Sequence, residues 1–209
     1  TSPTTGSWKQ KGGDIDGEAA GDFSGESVSL SSDGNIVAMG APYNNGPNGD
    51  DSGHVRIYQW NATSELWDQL GQDIDGGEDG DYSGASVSLS SDGSTVAIGA
   101  ILNDGLNASS NNAGHVRIYE YSDNSWTQLG VDIDGEAAED RSGHSVSLSS
   151  DGRTVAIGAR GNAGNGRSSG HVRIHKYSDN SWTQLGDDIE GQAVDDNSGY
   201  SVSLSSDGS

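Results

Sequence analysis

Apolar residues in this chain come in short bursts with strand periodicity. Ser-Val-Ser-Leu-Ser at 27–31, 86–90, 145–149 and 201–205 alternates strictly, so Val and Leu share one face and the serines the other. The run Thr-Val-Ala-Ile-Gly-Ala at 95–100 and 154–159, and its variant Ile-Val-Ala-Met-Gly-Ala at 36–41, does not alternate, which predicts a strand buried on both faces. Gly-His-Val-Arg-Ile at 53–57, 114–118 and 170–174 is a third strand. Trp-Thr-Gln-Leu-Gly at 126–130 and 182–186 is a fourth. No long 3.6-residue period appears. Ser-Ser-Asp-Gly between the first two strands is a hairpin signal, because Asp-Gly suits the positive φ of a tight turn.

The strands recur as a unit. Trp8, Trp67, Trp126 and Trp182 are separated by 59, 59 and 56 residues. A fixed period of this size marks a repeat architecture, in which no single unit can bury its own apolar face. Four strands per repeat in an up-down meander predict an all-β chain, a β-propeller of four-stranded antiparallel blades. A β-solenoid is the rival, and four turn signals per unit fit it poorly. The expected layout is a flexible lead-in at 1–7 and repeats over 8–209. Blades fall at 27–71, 86–130 and 145–186, with partial blade strands at 8–15 and 201–208. Closed propellers have four to eight blades, so two readings stand: a piece of a longer propeller, or several chains closing one ring as a homo-oligomer. A three-blade wedge alone would expose two apolar faces.

Between the Trp strand and the Ser-Val-Ser-Leu strand lies a Gly-rich acidic loop. Asp14, Asp73, Asp132 and Asp188 form one column of the repeat, and Asp22, Asp81, Asp140 and Asp196 another. Asp16, Asp75, Asp134 and Glu190 stand two residues after the first column. Such carboxylates are candidate Ca²⁺ ligands; the alternative is turn chemistry, with Asp accepting backbone N–H bonds. In a propeller meander these loops share a face with the variable loops 42–52, 101–113 and 160–169, and that face is the candidate binding surface. His54, His115 and His171 recur with Arg56, Arg117 and Arg173, and are read as structural hydrogen bonding and Arg–carboxylate pairing. The four tryptophans are read as blade packing rather than sugar stacking. Asn61 and Asn107 open glycosylation sequons.

The formal charge of −22, with ten basic residues, excludes a phosphate-tracking nucleic-acid surface and disfavours anionic membranes. No apolar run reaches the length of a membrane span. Cysteine is absent, so neither disulfides nor thiolate metal sites form.

The segment 22–42, with Phe23-Ser24-Gly25 and Gly40-Ala41-Pro42, resembles the FG-GAP repeat of integrin-alpha-type β-propellers. The other copies carry Tyr82, Arg141 and Asn197 at the Phe position, and Ile101 and Arg160 at the Pro position. The resemblance covers the chain after residue 7. The family's calcium loop between the first two strands is absent, since Ser31-Ser32-Asp33-Gly34 offers one carboxylate. The resemblance implies an extracellular or cell-surface module for adhesion or protein interaction, with a protein or matrix partner. Alternatives are a structural subunit of a surface filament and a glycan-binding propeller. No catalytic motif appears, and carboxylate pairs repeat in every copy whereas an active site breaks such symmetry. The expectation is therefore no enzyme.

Overall fold

The computed structural model describes residues 7–105 and 111–209. It is all-β, and no helix among the described residues is long and apolar enough to cross a membrane. The first blade is a meander of β1 (Ser27–Leu30), β2 (Ile36–Ala41), β3 (His54–Asn61) and β4 (Leu66–Gln69). The two-residue strand β5 (Ile74–Asp75) returns to pair with the start of β3, His54 opposite Asp75. The second blade repeats this with β6 (Ser83–Leu89), β7 (Thr95–Ala100), β8 (His115–Ser122), β9 (Ser125–Gln128) and β10 (Ile133–Asp134). The third has β11 (Ser142–Leu148), β12 (Thr154–Ala159), β13 (His171–Ser178), β14 (Ser181–Gln184) and β15 (Ile189–Glu190). The propeller blade expected from the sequence is thus the observed one.

Two details differ. Residues 8–15 and 201–208 form no strand, because neither has a ladder partner of its own blade. The short strands β5, β10 and β15 lie inside what read as acidic loop. Asn61 closes β3 instead of lying in a loop, and Asn107 lies outside the described residues.

The blades are held together by two seams built from the same repeat columns. Between blades 1 and 2, Ala38, Val55 and Ile57 pack with Val87, Leu89, Val96, Ile98 and Trp126. Between blades 2 and 3, Ala97, Val116 and Ile118 pack with Leu148, Val155, Ile157 and Trp182. Each Trp reaches back to the preceding blade: Trp126 Nε1 donates to the Leu70 carbonyl (2.7 Å) and Trp182 Nε1 to that of Leu129 (2.7 Å). Trp67 does the same to Lys11 (2.9 Å), while Trp8, with no blade before it among the described residues, is fully exposed. Val28 and Leu30 on β1 are likewise 55% and 58% exposed, where Val87 and Leu89 are buried.

Serine supplies the polar half of each seam. Ser27, Ser86 and Ser145 donate from Oγ to the carbonyls of Gly84, Gly143 and Gly199 in the next copy of the repeat. Ser29, Ser88 and Ser147 accept there from the N–H groups of Leu89, Leu148 and Leu204. At the hairpin end, the N–H groups of Ser32, Ser91 and Ser150 donate to the carbonyls of Ser91, Ser150 and Ser206. Such contact demands that nothing stand between the backbones. A Cβ on Gly99 would lie 2.1 Å from the Gly143 carbonyl oxygen, and Gly40 and Gly158 are equally tight.

Gly99→Ala is accordingly expected to destabilise the chain by about 3 kcal/mol through overpacking of the seam. Gly13→Ala, where an added Cβ meets nothing within 4 Å, should be near neutral. Urea unfolding midpoints of the two variants check the contrast.

Candidate functional site

Repetition builds a frame at the end of the inner strands, and the residues that break the repeat are mounted on it. In every copy a four-residue turn stands immediately before the Ser-Val-Ser-Leu segment. The N–H groups of Glu26, Ala85, His144 and Tyr200 donate to the carbonyls of Phe23, Tyr82, Arg141 and Asn197. The first residue of each turn is left-handed, with φ of 54°, 56°, 54° and 53°. Phe, Tyr and Arg adopt this region at a cost of order 1 kcal/mol each, so the surroundings must fix it. They do: the N–H groups of Tyr82, Arg141 and Asn197 donate to the carbonyls of Asp51, Asn112 and Ser168 in the variable loops.

A second lock lies beneath. Asp22, Asp81 and Asp140 are buried, and their carboxylates accept from the N–H groups of Ala19, Glu78 and Ala137. Each also accepts from the side-chain amide of Asn44, Asn103 or Asn162. These asparagines form a column of type Gly-Ala-x-x-Asn, 22 residues after each aspartate, inside loops that otherwise differ. The spacing was the signal that could have found them. Asp196 accepts from the N–H groups of Gln192 and Ala193.

The mounted residues differ from blade to blade. On the first side, Tyr43 packs between Phe23 (centroids 5.0 Å) and Tyr82 (4.8 Å), and Tyr43, Tyr82, Ile101 and His144 line a cleft of about 130 Å³. On the other side, Arg141, Arg160 and Arg167 line a cleft of about 300 Å³ with Glu139 and Asn197. Three of the ten basic residues of a chain with charge −22 thus meet at one place. Arg167 pairs with Asp195 at 2.7 Å, and Arg141 lies 3.5 Å from Glu139. The buried Nε of Arg160 has no partner, and its guanidinium sits 5.6 Å over the Tyr200 ring. His144 packs on the same ring at 4.9 Å. Partial burial, then the charges of Arg160 and Arg141, push its pKa down to about 4, so it is neutral near pH 7. Phe23 and Tyr200 are exposed aromatics in the repeated loops, which pattern alone does not mark as surface groups.

The other sequence-predicted acidic residues, those of the Asp14 and Asp16 columns, sit elsewhere. Gln10, Gln69, Gln128 and Gln184 each donate to the aspartate four residues on: Asp14, Asp73, Asp132 and Asp188. Asp75 and Asp134 flank the buried His54 and His115 across the strand pair, and burial raises both carboxyls. Glu190 pairs with His171 in the same register. Arg56 reaches over the seam to the Asp16 carbonyl (2.9 Å) and to Glu18 (3.6 Å), and Arg173 to the Asp134 carbonyl (2.6 Å) and to Glu136 (3.6 Å). Gly77 stands where the first and third copies have Glu18 and Glu136, so Arg117 turns to Asp132 of its own blade (2.9 Å). The groups that converge as potential metal ligands are Glu18, His54 and Asp73; His115, Asp132 and Asp134; and Glu136, His171 and Asp188. The column of Asp22, Asp81 and Asp140 contributes to none of these three.

No protein-family model and no curated protein matches the chain. Among solved structures it is similar to a Bacteroides uniformis protein provisionally identified as a 6-phosphogluconolactonase (13% identity, TM-score 0.53, 80% of this chain and 41% of that one). A Bacteroides fragilis protein of the same provisional identification matches at 15% identity and TM-score 0.50, over 83% of this chain and 40% of that one. The Kuenenia stuttgartiensis hydrazine synthase matches at 16% identity and TM-score 0.54, over 87% of this chain and 53% of that one. The chain thus spans about two fifths of the first two proteins and about half of the third. At these identities the likeness carries the fold, a β-propeller, and does not reach the FG-GAP family. It runs against the expectation of a non-catalytic adhesion module and favours neither the filament nor the glycan-binding alternative. The neighbours bear the names of enzymes. Nor is the symmetry of the copies unbroken: the mouth at the end of the inner strands carries Phe23, Tyr82, Arg141 and Asn197 at one repeat position.

Three histidines give the fold a defined acid sensitivity. Burial first, and neighbouring arginines second, push His115, His144 and His175 down to about 4. Unfolded histidines titrate near 6.5 and bind protons first, so these groups lower stability as pH falls from about 6.5 to about 4. His175, beside Arg173 and Asp188, has an unpartnered Nδ1. His175→Gln is expected to shrink the loss of stability between pH 7 and 5, read from denaturant midpoints at the two pH values.

Proposed function

We propose that the mouth at the end of the inner strands is a hydrolytic site for an ester or lactone of a small anionic molecule, of the phosphorylated sugar-acid class. The observation that carries this reading is the meeting of Arg141, His144, Arg160 and Tyr200 at one point where the repeat is broken. Arginine forks suit phosphate and carboxylate, and Arg160 holds an unpartnered Nε at the cleft. His144, kept neutral, takes a proton from water as the oxygen attacks the acyl carbon. The acyl C–O bond then breaks, the proton passes to the leaving alkoxide, and the new carboxylic acid releases its own proton to solvent, so the products are a carboxylate, an alcohol and one proton. Arginine charge lies where the oxyanion forms, and the Phe23–Tyr43–Tyr82 wall gives a ring a face to lie on.

The scaffold shared with proteins provisionally identified as 6-phosphogluconolactonases supports the choice of reaction class. For the repeat itself we propose kinship with the FG-GAP-like group, supported by Phe23-Ser24-Gly25 and Gly40-Ala41-Pro42.

The test is hydrolysis of 6-phosphoglucono-δ-lactone followed by pH-stat against the spontaneous rate. His144→Ala is expected to lower kcat at least 100-fold, and Arg160→Ala to raise KM with a smaller change in kcat. The rate should hold from pH 7 down to about 5 and fall as His144 protonates below that. A rate equal to the spontaneous one, or untouched by His144→Ala, overturns the reading.

A further inference from the structure

Away from the mouth, the seam between blades 2 and 3 gathers Glu136, His171 and Asp188, whose ligand atoms all lie within 4.8 Å of one another. Glu136 follows β10 of the second blade, and His171 and Asp188 belong to the third. His171 is 1% exposed, and neither of its ring nitrogens has a hydrogen-bond partner. A buried polar group left unpaired costs about 1–3 kcal/mol, so the position is incomplete as a purely structural hydrogen-bond site. Its Nδ1 points at Asp188 Oδ2 from 3.5 Å, too far for a hydrogen bond. That spacing fits the edge of a tetrahedral ion with bonds near 2.1 Å, about 3.4 Å. Gln184 Nε2 holds the other Asp188 oxygen at 2.6 Å, which orients Oδ2 toward the histidine.

We infer that Glu136, His171 and Asp188 form a divalent transition-metal site that staples blade 2 to blade 3. One imidazole and two carboxylates suit Zn²⁺ or Co²⁺ better than Ca²⁺, which takes oxygen ligands. Three protein ligands leave a fourth position for water. Arg173 bears on the site: its Nη1 lies 3.6 Å from Glu136, while Nη2 is held by the Asp134 carbonyl at 2.6 Å. Its charge opposes the ion and sets a modest affinity. The same columns recur where the segment before β1 meets blade 1, in Glu18, His54 and Asp73. At the seam between blades 1 and 2 Gly77 removes the bridging glutamate, and the cluster there falls back within one blade as His115, Asp132 and Asp134.

The test uses the full chain and Co²⁺ as the optical probe, with Zn²⁺ in calorimetry. An acidic surface of oxygen ligands leaves Co²⁺ nearly colourless, whereas a four-coordinate site with a histidine gives strong visible absorption. The wild type is expected to show that absorption and to bind Zn²⁺ at a defined stoichiometry. Glu136→Gln, at a half-exposed position that should fold normally, is expected to lose one equivalent. Arg173→Gln should tighten Zn²⁺ binding about tenfold, and His144→Ala should leave it unchanged. A Co²⁺ spectrum like that of the free aquo ion, or an unaltered stoichiometry in Glu136→Gln, overturns the assignment.

Discussion

The structure depends on how closely one blade can approach the next. Gly40, Gly99 and Gly158 let the second strand of each blade touch the inner strand of its neighbour, where any Cβ would strike a carbonyl oxygen. That approach puts serine hydroxyls within reach of the neighbour's backbone, so polar groups of the inner strands are satisfied across the seam. It also explains the composition. A core assembled from thin sheets in contact needs single large residues, Ile57, Ile98, Ile118 and Ile157, set among Ala, Gly and Ser. A chain only 30% hydrophobic can fold this way because each apolar residue serves a seam.

The same rigidity gives the site its precision. The frame recurs from copy to copy: a left-handed residue opens all four turns, a loop carbonyl fixes Tyr82, Arg141 and Asn197, and a buried Asp–Asn pair lies below the first three. What stands on the frame is free to vary, and Phe23, Tyr82, Arg141 and Asn197 show that it has. Catalysis and recognition need different groups at neighbouring points, and a repeat provides them only where it is broken. The aromatic wall and the arginine cleft are two halves of one such break, with His144 between them.

Much of the fold was legible in the residues. Alternation in Ser-Val-Ser-Leu and its absence in Thr-Val-Ala-Ile-Gly-Ala gave the inner and second strands, and the tryptophan period gave the blade. Strands β5, β10 and β15 were hidden because two residues make no pattern, and only a partner across the sheet defines them. Residues 8–15 and 201–208 carry strand sequence yet form none, since a ladder takes two strands and neither segment has a partner of its own blade. The site was harder to see. Repetition drew attention to the acidic columns, whereas the groups that converge at the mouth are those that do not repeat. Gly77 is a case in miniature: one missing glutamate redirects Arg117 to its own blade, and no local pattern announces it.

The most direct test of the account is a crystal structure of the chain soaked with 6-phosphogluconate, the hydrolysis product of the proposed reaction. The account expects its phosphate on Arg160 and Arg141, with the sugar carbons toward His144 and Tyr200. Density for the ligand on another face, or a mouth that holds only solvent at saturating concentration, would contradict it.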